Sequence, residues 1–430
     1  MQFESPIVES ESSIKKILII SYVFPPHPGI GGRRWAKFAK YLSIHGFEVH
    51  VIYAKSKEGG VSVWIDDVVR DPNIHLHPVT DFYPEVLNRI PVSITEKIKY
   101  RLWKKVLELK FNGYIYDKTI FSASSFVKMA DKIITGYNIS KVIVTGAPFR
   151  LVHAISINRK RWKDIHLTVD FRDPWTWEES GSFQQLSESR LSFEKNMERE
   201  VIVNADMITV PTLPMKMYLE STYKDADYKF AVLPHAWDEE EIKVIPKKNK
   251  LTPKLILYGT LYPGIENKIR LLAKALVDSK SIITLDIFSD TKSYQEIFRE
   301  EGASHLVCYF EMLPSRQLYR TIHNYIAAVI INNDSDKDHV STKFIELAAS
   351  GTPVIYIASA GKAAEFVVKY NSGWHTDGST LRSILEVISH EDYVSPISDV
   401  NLENLTFYKV SERFINQAYH MVPLAEANHS

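Results

Sequence analysis

The sequence predicts an α/β protein made of two doubly wound domains, and three observations carry that expectation. The chain has 430 residues, more than one hydrophobic core usually serves. Short apolar runs alternate with amphipathic helical stretches, as in parallel sheets covered by helices on both faces. After the charged, proline-punctuated stretch EEEIKVIPKKNKLTPK (239–254), the alternation starts again near Leu251.

Taken in order, MQFESPIVESESS is acidic and polar without the apolar centre of a signal peptide, and residues 1–13 read as a disordered tail. KILIISYVF (16–24) is a buried strand. A glycine-bearing turn, PPHPGIGGRR (25–34), leads into a helix over Trp35–His45. In it Trp35, Phe38, Ala39 and Leu42 share one apolar face, with Arg34, Lys37 and Lys40 expected elsewhere. Gly46 ends the helix, and FEVHVIY (47–53) is the next strand. Residues 56–125 are less regular and read as an insertion. KVIVTGAPF (141–149) and IHLTVDFRDPW (165–175) are strand-like again, separated by a helix near 150–161. A helix at 187–204 and the short strands in ADMITVP (205–211) and FAVLPHAW (230–237) complete a first domain over 14–248. The second domain, 249–405, has strands in KLILYGTL, ITLDIFSD, LVCYFEML, IAAVIIN and TPVIYIA. A last helix around SERFINQAYHM, within 406–430, is expected to return to the first domain.

Composition narrows the function. The formal net charge is zero, with 45% hydrophobic and 24% charged residues, so the whole chain has no nucleic-acid-binding character. Cys308 is the only cysteine, which excludes an internal disulfide or a cysteine metal cluster and suits a reducing cytoplasm. No apolar stretch reaches the length of a spanning helix. Between residues 97 and 172 there are 16 Lys/Arg against five Asp/Glu. In the basic helix EKIKYRLWKKVLELKF (96–111), Ile98, Leu102, Val106 and Leu109 form a stripe beside Lys97, Arg101, Lys104 and Lys105. Such a helix either docks on its own domain with a solvated basic face or lies on an anionic membrane from the cytoplasmic side.

The glycine turn first suggests a redox cofactor site. Gly29 and Gly31 fit the first two positions of G-x-G-x-x-G, but Arg34 stands at the third, and Lys55 takes the place of the ribose-binding acid. What remains is a loop of small residues (Gly31, Gly32) at a helix start, with Arg33 and Arg34 adding positive charge, suited to a diphosphate or to a plain strand–helix turn. In the second half, Ser341, Thr342 and Lys343 open a helix that Gly351 closes, and Glu346 lies one turn along, where a carboxylate can accept two ribose hydroxyls. The turn ASAGKAAE, with Gly361 and Glu365, follows the next strand.

TKFIELAASGTPVIYIASAGKAAEFVVKYNSGW resembles the donor-nucleotide region of GT-B glycosyltransferases of the retaining family 4 type. PPHPGIGGRRWAKFAKYLSIHGFEVHVI, VTGAPFRLVHAISI, VDFRDPW, ADMITVP, VLPHAWD and LILYGTLYPG fall in that family's order, so the resemblance spans most of the chain. It implies two Rossmann-like domains facing across a cleft, with a nucleotide-diphosphate sugar as donor substrate rather than a cofactor. Asp338 and Glu346 match a pair of acids separated by seven intervening residues, although the first is usually Glu and the usual intervening glycine is absent. The resemblance implies a ribose ligand at Glu346 and a donor-sugar contact at His153. It also implies a diphosphate contact at Lys268 or Arg270 after the Gly259 turn. Asp170, Arg172 and Asp173 follow a strand at the edge facing that cleft, where they can shape an acceptor pocket or orient a hydroxyl. For the last group the plain alternative is that Asp173 caps a turn and Arg172 pairs with it. His235 replaces the family's usual Asn, and Ala236 its Gly.

With no H-x-x-H, D-x-D or cysteine cluster, no metal site is expected. The expected reaction moves a sugar, with retention and without metal, to a hydroxyl on a glycan or lipid-linked precursor. An epimerase of similar fold and a non-catalytic carbohydrate-binding protein are the alternatives.

Overall fold

The computed structural model describes residues 15–27, 30–55, 62–88, 90–111, 117–177, 187–242, 253–279, 283–289, 292–390 and 402–419. The tail at 1–13, Gly29 and most of the charged linker lie outside them. The chain divides into two compact units, residues 1–173 with 192–209, and residues 174–191 with 210–430.

The N-terminal half begins with β1 (Lys15–Ser21), a short turn at Ile30–Gly32, α1 (Arg33–Ile44) and β2 (Phe47–Lys55). Then come α2 (Asp66–Val69), β3 (Ile74–Thr80), α3 (Ile94–Phe111), α4 (Ala123–Tyr137), β4 (Lys141–Gly146) and α5 (Phe149–Ile157). β5 (His166–Phe171), α6 (Glu188–Asn204), β6 (Met207–Val210), α7 (Leu213–Thr222) and β7 (Phe230–Val232) complete it. The strands form one sheet in the order β3-β2-β1-β4-β5-β6-β7, and β1 pairs in parallel with both β2 and β4. Residues 74–80, inside the segment read as an insertion, thus supply the edge strand.

α1 departs from its expected one-sided burial. Arg34, Lys37 and Lys40 are all buried, Lys37 completely. The segment at 62–69 covers the polar side of the helix, and Lys37 Nζ reaches Asp67 at 2.7 Å. The helix pattern was legible; the cover, from a distant segment, was not.

The second sheet comprises β8 (Lys254–Tyr258), β9 (Thr284–Phe288), β10 (Val307–Phe310), β11 (Ala327–Ile331), β12 (Val354–Ile357) and β13 (Gly373–Thr376), in the order β10-β9-β8-β11-β12-β13. Its helices are α8 (Glu266–Asp278), α9 (Gln295–Glu300), α10 (Ser315–Ile322), α11 (Thr342–Ser350), α12 (Lys362–Lys369) and α13 (Leu381–Ile388), and α14 (Phe407–Tyr419) follows. Alternate residues of one strand feed opposite cores: Leu255 and Leu257 pack on one face, Ile256 and Tyr258 on the other. Burial on both faces is why these strands read as unbroken apolar runs.

Candidate functional site

In open parallel sheets, ligands bind beyond the carboxyl ends of the strands where the strand order reverses. In the second sheet that point lies between β8 and β11. Gly259 follows β8 with φ +99°. A Cβ there would stand 2.6 Å from Lys343 Nζ, so any side chain would push the flexible end of the lysine aside, and the positive φ itself favours glycine. Lys343 donates to the Tyr258 carbonyl at 2.9 Å and lies 5.3 Å from the centre of the Tyr258 ring. Burial pushes its ammonium below the usual lysine range, and the Glu346 charge opposes that shift.

Lys343 and Glu346 arrive together because positions i and i+3 of α11 are neighbours. Phe344, Leu347 and Ala348 anchor the helix in the core, with the Phe344 and Tyr356 rings 5.0 Å apart. Glu346 is only 4% exposed. Ser341 precedes the helix in extended conformation, and its hydroxyl makes no capping bond. Gly351, at φ +73°, closes the helix as expected.

Lys268, from the first turn of α8, reaches the end of β11, where Nζ donates to the Asn332 carbonyl at 2.8 Å and to Asp334 Oδ1 at 2.6 Å. Ser359, just after β12, donates its hydroxyl to the same oxygen at 2.7 Å and its backbone N–H at 3.2 Å. Lys268 foremost, then Ser359, holds the Asp334 carboxyl down at about 2. Arg270 points elsewhere: it pairs with Glu300 at 2.8 Å and with Glu301, tying α8 to the end of α9. Asp338 Oδ1 accepts the backbone N–H of Lys362 at 2.9 Å, at the start of α12. A Cβ on Gly361 would meet the Lys337 carbonyl at 2.7 Å and Asp338 Oδ1 at 2.9 Å, so the small residue permits this close seating. The second unit therefore gathers Gly259, Lys268, Asp338 and Ser341–Glu346 at one sheet edge, without Arg270.

In the first sheet the order reverses between β1 and β4. A Cβ on Gly32 would approach Phe24 Cα to 3.1 Å, and one on Gly31 would approach Arg172 Nη1 to 3.2 Å. Arg172, following β5, donates to the carbonyls of Gly31 and Ala147 and to Asp173 Oδ2, the last two both at 3.2 Å. One guanidinium thus joins the loops after β1, β4 and β5. Its pairing with Asp173, whose side chain is 55% exposed, matches the plain expectation for those two residues.

Arg34 turns inward instead. Its Nε and Nη2 bond Asp170 at 3.2 and 3.1 Å, and the same carboxylate accepts Trp35 Nε1, Thr145 Oγ1 and Thr209 Oγ1. Arg33 is 4% exposed and lies 5.8 Å from the Trp64 ring. His153 Nε2 stands 2.5 Å from Glu200 Oε2. Sequence reasoning did not single out Asn332, Asp334, Ser359 or Glu200. The polar run NNDSD directly after a buried strand was the available signal for Asp334.

No family model matches the chain, and no curated protein matches its sequence. Solved structures do match. Sucrose-phosphate synthase from Thermosynechococcus elongatus is 13% identical with TM-score 0.65, covering 94% of this chain and 98% of that one. HepE from Anabaena, in complex with UDP and glucose, is 12% identical with TM-score 0.53, covering 94% and 95%. WaaG, a glycosyltransferase involved in lipopolysaccharide biosynthesis, is 12% identical with TM-score 0.55, covering 94% and 99%. At these identities the likeness establishes the fold: two Rossmann-like domains, as in GT-B glycosyltransferases.

Proposed function

We propose that the protein is a glycosyltransferase that moves a sugar from a nucleotide-diphosphate donor to a hydroxyl acceptor. The observation that carries this reading is Lys343 seated against Gly259, one helical turn from buried Glu346, at the strand-order reversal of the second sheet. Glu346 accepts the ribose hydroxyls. Lys343, Lys268, the Gly259 turn and the Ser341–Thr342 helix start bind the diphosphate and stabilise its charge as it departs. Asp338 positions α12 beside them. The nucleotide is a leaving group, so no protein nucleophile or metal is assigned to this step, and the transfer is of the retaining, family 4, hexosyl type.

The first unit binds the acceptor. Gly31, Gly32, Arg172 and Asp173 line the loop ends, His153 contacts the sugar, and Arg33 and Arg34 brace the glycine turn through their buried packing. The acceptor is a lipid-linked or polysaccharide precursor at the inner face of the cell membrane. Two observations support this. α3 exposes Ile94, Ile98, Leu102 and Leu109 beside Lys97, Arg101, Lys104 and Lys105, a face suited to anionic lipid. The polysaccharide context also has a precedent in WaaG's part in lipopolysaccharide biosynthesis. No helix among the described residues is long and apolar enough to cross a membrane.

Calorimetric titration with UDP and the other nucleoside diphosphates tests the donor site. Glu346→Ala should weaken binding by roughly 10–100-fold, the worth of a charged hydrogen-bonding group. Absence of binding by every nucleoside diphosphate, or an unchanged affinity in Glu346→Ala, refutes the reading. Conversion of a nucleotide sugar to its isomer without acceptor would point instead to the epimerase.

A further inference from the structure

Strand pairing assembles a histidine cluster that the linear sequence does not advertise. Glu48 and His50 alternate on β2, His75 and His77 on β3, and the parallel register sets His50 beside His75 and Ile52 beside His77. Residues two apart on a strand share a face, so the four side chains converge. His50 Nε2 lies 2.9 Å from Glu48 Oε1, and His75 Nε2 lies 3.7 Å from the same oxygen. One ligand atom from each of Glu48, His50 and His75 falls within 4.8 Å of the others.

We infer that Glu48, His50 and His75 form a binding site for a divalent transition metal of the zinc class, in which two imidazoles and one carboxylate are the protein ligands. Metal–ligand bonds of about 2.0–2.1 Å in a tetrahedral site place neighbouring ligand atoms roughly 3.3 Å apart, and the observed separations bracket that value. His50 is fully buried, and its other ring nitrogen, Nδ1, lies 3.0 Å from His77 Nε2. A hydrogen bond from Nδ1–H to His77 presents Nε2 of His50 to the ion, with the His77 imidazole in the place that a carboxylate, carbonyl or water usually takes beside a metal-bound histidine. His77 stacks on His50 at 10° between ring planes, and Tyr137 of α4 covers His50 with the ring centres 4.2 Å apart. Glu48 Oε2 faces Lys16 at 3.9 Å, which leaves Oε1 as the ligand atom. The His75 side chain is 43% exposed, so an ion and a completing water enter from solvent.

Glu48 and His50 precede the carboxyl end of β2 by several residues, and His50 lies beside Leu18, within β1. The site is therefore separate from the loop ends assigned to sugar transfer, and its chemistry is that of a clip joining β2, edge strand β3 and α4. These ligands repeat at i, i+2 across two strands, a pattern that H-x-x-H spacing does not describe.

The test uses untagged full-length chain, stripped with chelator and titrated with zinc and with cobalt(II) against a chromophoric competitor. One equivalent should bind per chain, with the visible absorption of a four-coordinate cobalt site. Zinc should also raise the melting temperature of the wild type. His75→Ala, at a partly exposed position, should keep the far-UV spectrum and lose at least tenfold in affinity along with the zinc-dependent melting shift. His77→Ala should weaken binding roughly 10–100-fold, as loss of an outer partner does. Absence of stoichiometric binding, or wild-type affinity in His75→Ala, overturns the inference. Neither result bears on nucleotide binding, which is measured separately.

Discussion

At the scale of the residue, Gly259 shows how a site is made from an absence. Its φ of +99° disfavours any side chain, and the Lys343 ammonium occupies the space where a Cβ would stand. Gly259→Ala should displace that ammonium and lower nucleoside-diphosphate affinity by tenfold or more. The accompanying stability loss should be about 1–2 kcal/mol, from the strained conformation; titration calorimetry and urea unfolding measure the two effects. The sequence revealed that a glycine follows this strand. It did not reveal which lysine the glycine admits, because Lys343 is 84 positions away in the chain. Asp170 and Arg34 teach the same lesson. An arginine beside a glycine turn suggests anion binding, yet this one satisfies a buried carboxylate with three other hydrogen bonds around it.

At the scale of the element, burial separates helices whose sequences look alike. α1 and α3 both carry apolar and basic residues, but α1 is covered on both sides, whereas Ile98, Leu102 and Leu109 of α3 face solvent and Leu107 is its buried contact. The double substitution Ile98→Glu, Leu102→Glu should abolish sedimentation with anionic vesicles while leaving the melting temperature within a degree or two, since exposed positions contribute little to folding. Equal sedimentation of wild type with neutral and anionic vesicles would remove the charge component of that contact. Of the four edge strands, β7 and β10 were legible in the sequence and β3 and β13 were not. β3, IHLHPVT, and β13, GWHT, lack continuous apolar runs, because an edge strand is paired on one side only and is shorter or more polar than its neighbours.

At the scale of the whole molecule, the second unit recruits chain from ahead of the charged linker. The Trp237 indole donates to the Leu402 carbonyl at 3.1 Å, and its backbone bonds Leu405 and Phe407. Trp237→Ala should cost about 3 kcal/mol, the scale of a large aromatic truncated in a packed setting, seen as a lower urea midpoint. A change below about 0.5 kcal/mol would mean that this crossing strap contributes little. The sequence by itself determined the order of most strands and helices, the glycines that stop helices, and the residues that stand at strand ends. These follow from local backbone preference and from apolar periodicity, which neighbouring residues encode. Only the tertiary structure decided that Lys37 is buried on Asp67, that Lys268 rather than Arg270 meets the end of β11, and that Glu48, His50 and His75 converge. Each depends on strand register and on partners far apart in the chain, and no local pattern carries that information.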